Sequence, residues 1–352
     1  MIRSGGAARA VLPSRDVLLP RHRSSSRSTG LALCALGVAV AASAAMSIVV
    51  GSVALSPAAV LASLLHPHAG GLQHAIVWEL RLPRVLLGML VGAGLGIAGA
   101  MLQMLFRNPL VDPYVTGVSA GAALAAAAGF MLGVAFAAIP LVAFVGGVVS
   151  ASIVAVVGAG AGPSANLRLV LAGVAVSALC AALVTLLLLR SGSTGGLSIL
   201  AWLAGGLAGR GWTELGPVSV YLGAAMLICV TLVHKLNALR LGREAAAGLG
   251  LRVEAARWQV MALSAFITAA CVSVSGVIGF VGLMVPHGAR RIVGGDARRL
   301  LPASALGGAA VVVAADACAR IAMPSTELPL GVLLAIIGVP CFLAIARNPV
   351  SP

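Results

Sequence analysis

Long apolar runs alternate with short polar segments along the chain from residue 31 onward. A bilayer core of about 30 Å requires about 20 residues of α-helix, and ten of these runs approximate that length. The ten predicted spans cover residues 31–55, 85–104, 119–136, 139–160, 169–189, 215–233, 260–274, 278–293, 304–319 and 328–346. The pattern predicts an all-α, polytopic membrane protein of about ten transmembrane helices, in a single domain over residues 31–347.

Two boundaries depend on the residues between neighbouring spans. The run from 119 to 160 is too long for one crossing, and Ala138-Ile139-Pro140 offers a break because proline is tolerated near the start of a helix. The run from 260 to 293 has basic residues at both ends, so an even number of crossings keeps both ends on one side. We expect its turn between Ser275-Gly276 and Gly279.

Residues 1–30 form a basic segment ahead of the first span. Their Ser and Arg content is typical of disordered sequence, and we expect a cytoplasmic tail. A signal peptide is the alternative, because the first apolar run contains Ala42-Ser43-Ala44. That run has about 25 residues, whereas the apolar core of a signal peptide has about 7 to 15. Its length favours a retained transmembrane helix.

Composition excludes a soluble fold. Hydrophobic residues make up 60% of the chain and charged residues 9%, whereas a water-exposed surface needs about 25 to 35% charged residues. The formal net charge of +14 does not indicate nucleic-acid binding, because the basic residues lie between the apolar runs. With the N-terminus in the cytoplasm, 18 of the 23 basic residues fall on the cytoplasmic side. This bias predicts that both termini are cytoplasmic.

Signatures of catalysis or ion coupling are weak in this sequence. Gly94-Leu-Gly96-Ile-Ala-Gly99 matches a dinucleotide-binding pattern, but it lies within a span without a preceding strand, so helix packing explains it better. The only lysine, Lys235, follows a histidine, which excludes a phosphate-binding P-loop. An ion-coupled secondary transporter needs acidic residues in the middle of its spans, and the pattern supplies only Asp316, four residues before Arg320 near a span end. That class is therefore the less favoured alternative.

Three histidines lie in the first predicted outer segment. His66, His68 and His74 carry imidazoles that suit zinc or copper, but no cysteine or carboxylate accompanies them at a metal-binding spacing. A solvated loop is the favoured interpretation. We expect no metal site and no cofactor bound by this chain.

The predicted inner segment at about residues 242–258 is rich in cations. It predicts a short helix beginning near Glu244 and stopped by Gly248 and Gly250, followed by a second short helix leading to Trp258. Such a pair is too hydrophilic to enter lipid and too apolar for a plain linker, which indicates a docking site for a partner. A surface loop with incidental helix is the alternative.

Four motifs occur in order between residues 31 and 347. They are Arg81-Leu-Pro-Arg84; Leu105-Phe-Arg-Asn108-Pro-Leu-Val-Asp112-Pro113-Tyr-Val-Thr-Gly117-Val-Ser-Ala-Gly121-Ala; Gly276-Val-Ile-Gly279-Phe-Val-Gly-Leu-Met-Val-Pro286-His287-Gly-Ala-Arg290; and Glu327-Leu-Pro329-Leu-Gly331. Together they resemble the iron-siderophore, haem and vitamin B12 permease family of ABC importers.

The resemblance implies a BtuC-like bundle that forms a homodimer in the bacterial inner membrane. It also implies two cytoplasmic ATPase subunits, which use ATP and Mg, and a periplasmic substrate-binding protein. The chain itself is then no enzyme but the translocation path for the cargo. Within this family we expect a ferric siderophore, with haem or cobalamin as alternatives.

The resemblance further implies roles for individual residues. Coupling to the ATPase falls to Glu244, Ala245, Ala246, Leu249 and Gly250. Docking of the binding protein falls to Arg81, Arg84 and Arg320. The cytoplasmic gate includes Asn108, Leu110 and Asn166.

The family pattern does not settle the roles of two pairs of residues. Ala165 and Asn166 stand where the vitamin B12 permease carries hydroxyl residues, so the detail of the gate differs here. Pro286-His287 resembles an inner-facing histidine motif, for which a structural hydrogen bond within the bundle is the favoured explanation.

Overall fold

The computed structural model describes residues 26–51, 53, 55–66, 70–160, 165–323 and 327–347. Regular structure within these ranges is helical throughout, which confirms the predicted all-α class. In chain order the α-helices are α1 (Ser26–Val49), α2 (Pro57–Leu65), α3 (Leu72–Ala75), α4 (Leu82–Phe106), α5 (Val118–Met131), α6 (Ile139–Val157), α7 (Ala165–Arg190), α8 (Ser193–Leu203), α9 (Trp212–Thr231), α10 (Val233–Arg240), α11 (Arg243–Gly248), α12 (Val253–Ser275), α13 (Val281–Val293), α14 (Ala297–Ala322) and α15 (Leu330–Arg347). A π-helix over Ile76–Arg81 and 3₁₀-helices over Pro113–Thr116 and Phe136–Ala138 precede α4, α5 and α6.

Each predicted span coincides with one helix, namely α1, α4, α5, α6, α7, α9, α12, α13, α14 or α15. By length and composition, seven stretches of the described chain can cross a membrane: Ser28–Val49, Leu72–Phe106, Phe136–Val157, Asn166–Arg190, Trp212–Thr231, Val253–Ser275 and Ala297–Ala322. The other three helices are shorter, and α13 has only 13 residues. At 1.5 Å per residue such a helix measures about 20 Å, less than the bilayer core of about 30 Å. The apolar pattern therefore overstated the length of this crossing.

Both predicted breaks between neighbouring spans are confirmed. α6 begins at Ile139 with Pro140 in its first turn. α12 ends at Ser275, and Gly276 follows with φ 65°, a conformation that favours glycine. A Cβ atom at Gly276 would lie 2.3 Å from the carbonyl oxygen of Trp202. This turn therefore packs directly against the end of α8.

The first helix begins earlier than the apolar pattern predicts. α1 starts at Ser26 rather than at residue 31. Backbone hydrogen bonding continues through polar residues as readily as through apolar ones, so a helix can extend past the end of its apolar run. Residues 1–25 of the predicted basic tail lie outside the described residues.

α4 forms the centre of the bundle and packs against α12, α13 and α14. Small residues permit the approach, because a Cβ atom at Gly92 would lie 2.2 Å from the carbonyl oxygen of Gly308. A Cβ atom at Gly96 would lie 2.2 Å from the carbonyl oxygen of Ser304. The backbones of α4 and α14 thus touch, as small residues allow in membrane helices. The glycines that match a dinucleotide-binding pattern lie in this helix and serve its packing.

Candidate functional site

Helix ends that the alternating topology assigns to one side of the membrane lie together in the fold. We call one of these sides the outer end. It includes the starts of α4 and α15 and the ends of α5, α12 and α14, and residues from all five helix ends line one cavity. The inner end includes the end of α4, the starts of α7, α12 and α14, and the short helices α10 and α11. Assignment of the inner end to the cytoplasm depends on the distribution of basic residues.

Arg84 is the centre of an ion-pair cluster at the outer end. Its Nη2 lies 2.9 Å from Oδ1 of Asp316 and 3.0 Å from Oε2 of Glu327. Asp316 also pairs with Arg320, whose Nε lies 3.3 Å from Oδ2. The Arg84 and Asp316 side chains are 14% and 3% exposed. The cluster therefore fastens α4 to α14 and to the segment that leads into α15.

Arg81 and Arg320 bind the end of α1. Arg81 donates to the carbonyl oxygens of Ile48 and Val49 at 2.6 and 2.8 Å. Arg320 donates to the carbonyl oxygens of Ser47 and Val50 at 2.8 and 3.0 Å. The last carbonyls of a helix lack partners within it and attract cations. These two arginines thus cap α1.

The predicted docking arginines are therefore not free surface charges. Arg81 is 5% exposed and Arg320 is 7% exposed, so neither presents a freely exposed guanidinium at the surface. The physical reason is that the outer ends of α1 and α14 supply carbonyl and carboxylate acceptors that hold guanidinium groups inside the fold. The Arg84 side chain is the most exposed of the three. The docking role of these arginines stays a prediction.

Arg210 is a further outer cation whose role sequence reasoning did not identify. It lies between α8 and α9, and its Cζ atom is 5.0 Å from the ring centroid of Phe136. Its nearest acid is Glu214, with 4.0 Å between Nη1 and Oε1. The only signal in the sequence is its position beside Gly209 and Gly211, where a loop can fold tightly around the side chain.

The inner segment is organised differently from the predicted pair of short helices. α11 is short and ends at Gly248, as expected. The second predicted helix is instead the first two turns of α12, which runs unbroken from Val253 into the membrane. Residues 253–275 contain neither glycine nor proline, so nothing stops the helix near Trp258. The second part of this inner segment, from Val253 onward, is therefore continuous with a spanning helix, and residues 249–252 separate it from α11.

The predicted coupling residues differ in exposure, because four are exposed and one is buried. Glu244, Ala245, Leu249 and Gly250 are exposed, and Leu249 is 67% exposed. Ala246 is fully buried at 0%, because it lies on the side of α11 that packs into the hydrophobic core. Its expected place on the docking surface is thus wrong. Ala246 anchors α11, and the other four residues form the exposed surface.

A chain of polar contacts joins α11 to the start of α7. Arg243 on α11 lies 2.7 Å from Glu254, which also pairs with Arg257 at 3.3 Å. Arg257 then donates through Nη2 to Oδ1 of Asn166 over 2.8 Å. We call these four residues the inner relay. It connects the predicted coupling segment to a predicted gate residue, and Glu254 and Arg257 were not among the candidates from the sequence.

The other predicted gate residues lie in the loop after α4. Oδ1 of Asn108 accepts a hydrogen bond from the backbone N–H of Leu110 at 2.9 Å, which closes a side-chain turn. Both residues are exposed, Leu110 at 41%. The neighbouring Arg107 reaches Gly242, where a Cβ atom would lie 3.2 Å from Nη1. This loop therefore contacts the start of the coupling segment as well.

The same loop is fixed at its far end by Asp112 and Tyr114. Oδ1 of Asp112 accepts from the Tyr114 backbone N–H at 2.9 Å. The Tyr114 hydroxyl donates to the carbonyl oxygen of Ile278 and accepts from its N–H. Burial raises the pKa of Asp112 to about 6, while the hydrogen bond from Tyr114 opposes that rise. The loop is thereby tied to the turn between α12 and α13.

The histidines fall into two environments. His66 is exposed and half-buried His74 lies beside Trp78, whereas His68 lies outside the described residues. Within the described ranges no group of three metal-ligating side chains occurs. His287 is 3% exposed, and both ring nitrogens lack a hydrogen-bond partner among the residues described. The structural hydrogen bond expected for His287 is therefore not made to any of them.

Fold and site together define a multi-span membrane protein whose inner segment is joined by polar contacts to the start of a spanning helix and whose outer end carries an ion-pair cluster. A family model described as the FecCD transport family matches residues 38–348. The Fe(3+)-citrate import system permease protein YfmE of Bacillus subtilis (strain 168) is 37% identical over 322 residues, covering 90% of this chain and 95% of YfmE. The cobalamin import system permease protein BtuC of Halobacterium salinarum is 42% identical over 277 residues, covering 78% of this chain and 73% of that protein.

A solved structure described as a metal-chelate type ABC transporter in an inward-facing conformation has the same fold. It superimposes with a TM-score of 0.81 at 32% identity, covering 91% of this chain and 99% of that chain. The chain belongs to the FecCD transport family. It is a multi-pass permease subunit of an ABC importer in the inner membrane, and ATP hydrolysis belongs to a separate subunit.

Proposed function

We propose that this permease works as a homodimer that carries a ferric siderophore into the cytoplasm. Two ATPase subunits bind its inner end and a periplasmic binding protein delivers the cargo to its outer end. The inner relay is the observation that carries the proposal, because the 2.8 Å contact of Arg257 with Asn166 links the coupling segment to the gate. A permease driven by an external ATPase needs such a link.

The inner end offers a docking surface of the right character. Leu241 and Leu249 are 60% and 67% exposed on either side of α11, while Arg243 and Glu244 supply charge at its start. Apolar side chains within a charged rim are typical of protein interfaces. Movement of an ATPase bound here would pass through Glu254 and Arg257 to the start of α7.

The outer end suits a partner that carries carboxylates. Arg84 is already paired with Asp316 and Glu327, so a docking carboxylate has to share or displace one of them. Glu327 is the more exposed of the two, at 38%, and its pairing with Arg84 costs less to break. Docking at Arg84 would then loosen the segment that leads into α15.

The choice of cargo is our proposal and takes the family as its starting point. The named relatives are described as permeases for Fe(3+)-citrate and for cobalamin, so one architecture serves different chelates. We choose a ferric siderophore as the cargo, with haem and cobalamin as the alternatives. We also propose that both termini of the chain lie in the cytoplasm, because basic residues concentrate at the inner end.

ATP-driven uptake in proteoliposomes tests the proposal. The permease is reconstituted with its ATPase and binding protein, and uptake is measured with ferric siderophores and haem labelled with radioactive iron and with cobalamin labelled with radioactive cobalt. We expect ATP-dependent uptake of at least one siderophore. Uptake driven by a proton or sodium gradient without ATP would contradict the mechanism, and uptake of haem or cobalamin alone would contradict the cargo.

A further inference from the structure

A groove of about 550 Å³ opens at the inner end, and the transport scheme above does not use it. Its apolar lining comes from three helices and includes Ile97 of α4, Met226 and Val230 of α9, and Leu301 and Pro302 of α14. Clefts of about 300 to 1,000 Å³ are typical binding sites for small molecules. The groove is therefore large enough for a ligand.

The groove extends along α9 from the inner end toward the middle of the membrane. His234 follows Met226 by eight residues, a rise of about 12 Å at 1.5 Å per residue. Both α9 and α14 are long and apolar enough to cross a membrane. Leu227 and Val230, one turn apart on α9, are 73% and 65% exposed. Exposed apolar side chains on a spanning helix face the acyl chains of the bilayer, so the groove opens to lipid.

The mouth of the groove is basic. Of the described residues that line it, two are basic and none is acidic. The basic ones are His234 of α10 and Arg298 of α14, and both are exposed. Asn237 holds these two helices together, because its Oδ1 accepts from the Ala297 N–H at 2.9 Å. His234 lies one turn before Asn237 and Arg298 directly follows Ala297, so both basic side chains border the same opening.

Positive charge is in excess around this mouth. Asp296 is the acid beside it, and its Oδ1 accepts from Asn237 Nδ2 at 2.8 Å and from the Arg298 backbone N–H at 3.0 Å. Arg240 brings another guanidinium close by, because a Cβ atom at Gly295 would lie 2.6 Å from its Nη1. Two arginines thus flank one carboxylate that already caps α14. A cleft with low-dielectric walls and a basic rim concentrates anions.

We propose that this groove binds an anionic phospholipid of the inner leaflet, with an acyl chain along its apolar walls and the phosphate beside Arg298. A guanidinium suits phosphate oxygens, and His234 flanks the headgroup from α10. An apolar tail joined to an anionic head matches an apolar groove that ends in a basic mouth at the membrane surface. The bound headgroup would contact α10 and α14 together and so brace the helix that leads into α11. The site is independent of the cargo.

Competition between two phospholipids for the full-length permease tests the site. The permease is stripped of lipid in mild detergent and mixed with equal amounts of phosphatidylglycerol and phosphatidylcholine of the same acyl chains, and native mass spectrometry counts the lipids that stay bound. We expect the parent protein to prefer phosphatidylglycerol. Arg298→Gln should lower that preference about fivefold, the effect of one cation at an anionic surface. Arg252→Gln, at an exposed arginine of the inner end outside the groove, is the matched control and should retain the preference.

A second variant tests the apolar part of the groove. Val230→Trp places a large ring on the exposed rim, where it can fill the groove without entering the core of the bundle. We expect this variant to retain less of both lipids while its melting temperature in detergent stays that of the parent protein.

Three outcomes would overturn the lipid site. The first is equal retention of the two lipids by the parent protein, or an equal loss of preference in Arg252→Gln and Arg298→Gln, which would indicate general attraction to a basic surface. The second is displacement of phosphatidylglycerol by glycerol phosphate, which lacks acyl chains and would assign the mouth to a soluble anion. The third is loss of the dimer by light scattering in Val230→Trp with lipid retention unchanged, which would assign the groove to a second copy of the chain.

Discussion

The Arg257 guanidinium, in the second turn of α12, donates to the side-chain oxygen of Asn166, in the first turn of α7, over 2.8 Å. The same guanidinium pairs with Glu254, which in turn pairs with Arg243 on α11. Three consecutive polar contacts thus connect an exposed helix to the start of a spanning helix. Because α12 is continuous from Val253 to Ser275, a displacement of α11 acts on two spanning helices at once.

Breaking the relay should uncouple ATP hydrolysis from transport. Arg257→Gln removes the charge and shortens the side chain, so both contacts of Arg257 are lost. Hydrogen bonds to charged groups contribute about 1.5 to 3 kcal/mol, and for this buried group we expect uptake to fall about tenfold. ATPase activity of the assembled complex should change less than about twofold. Arg252→Gln, at an exposed arginine one turn earlier, serves as the control, and equal uptake by both variants would rule out the relay.

Substitutions at an exposed and at a buried position of α11 should affect ATPase docking and folding separately. Ala245→Arg introduces a large side chain at an exposed position, and we expect it to prevent copurification of the ATPase without lowering the melting temperature. Ala246→Arg instead forces a charge into a fully buried position and should destabilise the permease by about 2 to 4 kcal/mol. Thermal melting with copurification distinguishes the two. Normal ATPase recovery with Ala245→Arg would contradict the docking surface.

Because α4 and α14 pack closely, replacing Gly92 by alanine should destabilise the fold. A Cβ atom at Gly92 would lie 2.2 Å from a backbone oxygen of Gly308, so Gly92→Ala forces the two helices apart. We expect a loss of about 1 to 3 kcal/mol, typical of overpacking. Gly223→Ala on α9 meets no atom within 4 Å and should stabilise by up to about 1 kcal/mol, because alanine favours the helix. Melting curves of both variants in one lipid composition provide the comparison.

The spans and their breaks could be predicted from the sequence because both are local properties. An apolar run of bilayer length and a proline or glycine at its end are visible without any contact, as Pro140 and Gly276 show. The ion pairs could not be predicted in this way. Arg84 and Asp316 are 232 residues apart, and Arg257 and Asn166 are 91 apart. Pairing at such separations is decided by which helix ends meet.

The sequence also could not predict which residues of the short helix α11 are exposed. Ala245 and Ala246 are the same residue type in adjacent positions, yet one is exposed and the other is completely buried. A run of small residues carries no hydrophobic periodicity that would mark the buried side. Arg81 and Arg320 illustrate the same limit, because both donate to backbone carbonyls of α1, which no side-chain pattern identifies.

Removing one acid from the outer cluster should strengthen binding-protein docking. Glu327→Gln leaves Arg84 paired with Asp316 alone and frees donors for a partner carboxylate. Exposed charge pairs contribute about 0.2 to 1 kcal/mol, so we expect association about two to five times tighter at low salt. The gain should vanish near 1 M salt, where the Debye length is about 3 Å. Asp316→Asn is the contrasting variant, since it removes the buried acid that Arg84 and Arg320 share and should destabilise the fold by about 3 to 5 kcal/mol.

Stability of the permease should depend on pH through Asp112. Burial raises the pKa of this carboxyl to about 6 in the folded chain, whereas an unfolded aspartate has a pKa of about 3.9. The folded state therefore binds a proton more tightly, and this stabilisation is complete below about pH 4 and is lost as the pH rises through about 6. We expect the melting temperature of the parent protein to fall over that interval more than that of Asp112→Asn, whose amide can still accept from the Tyr114 N–H but does not titrate. Parallel melting curves of the two proteins between about pH 4 and pH 7 would contradict the raised pKa and place the carboxylate in contact with water.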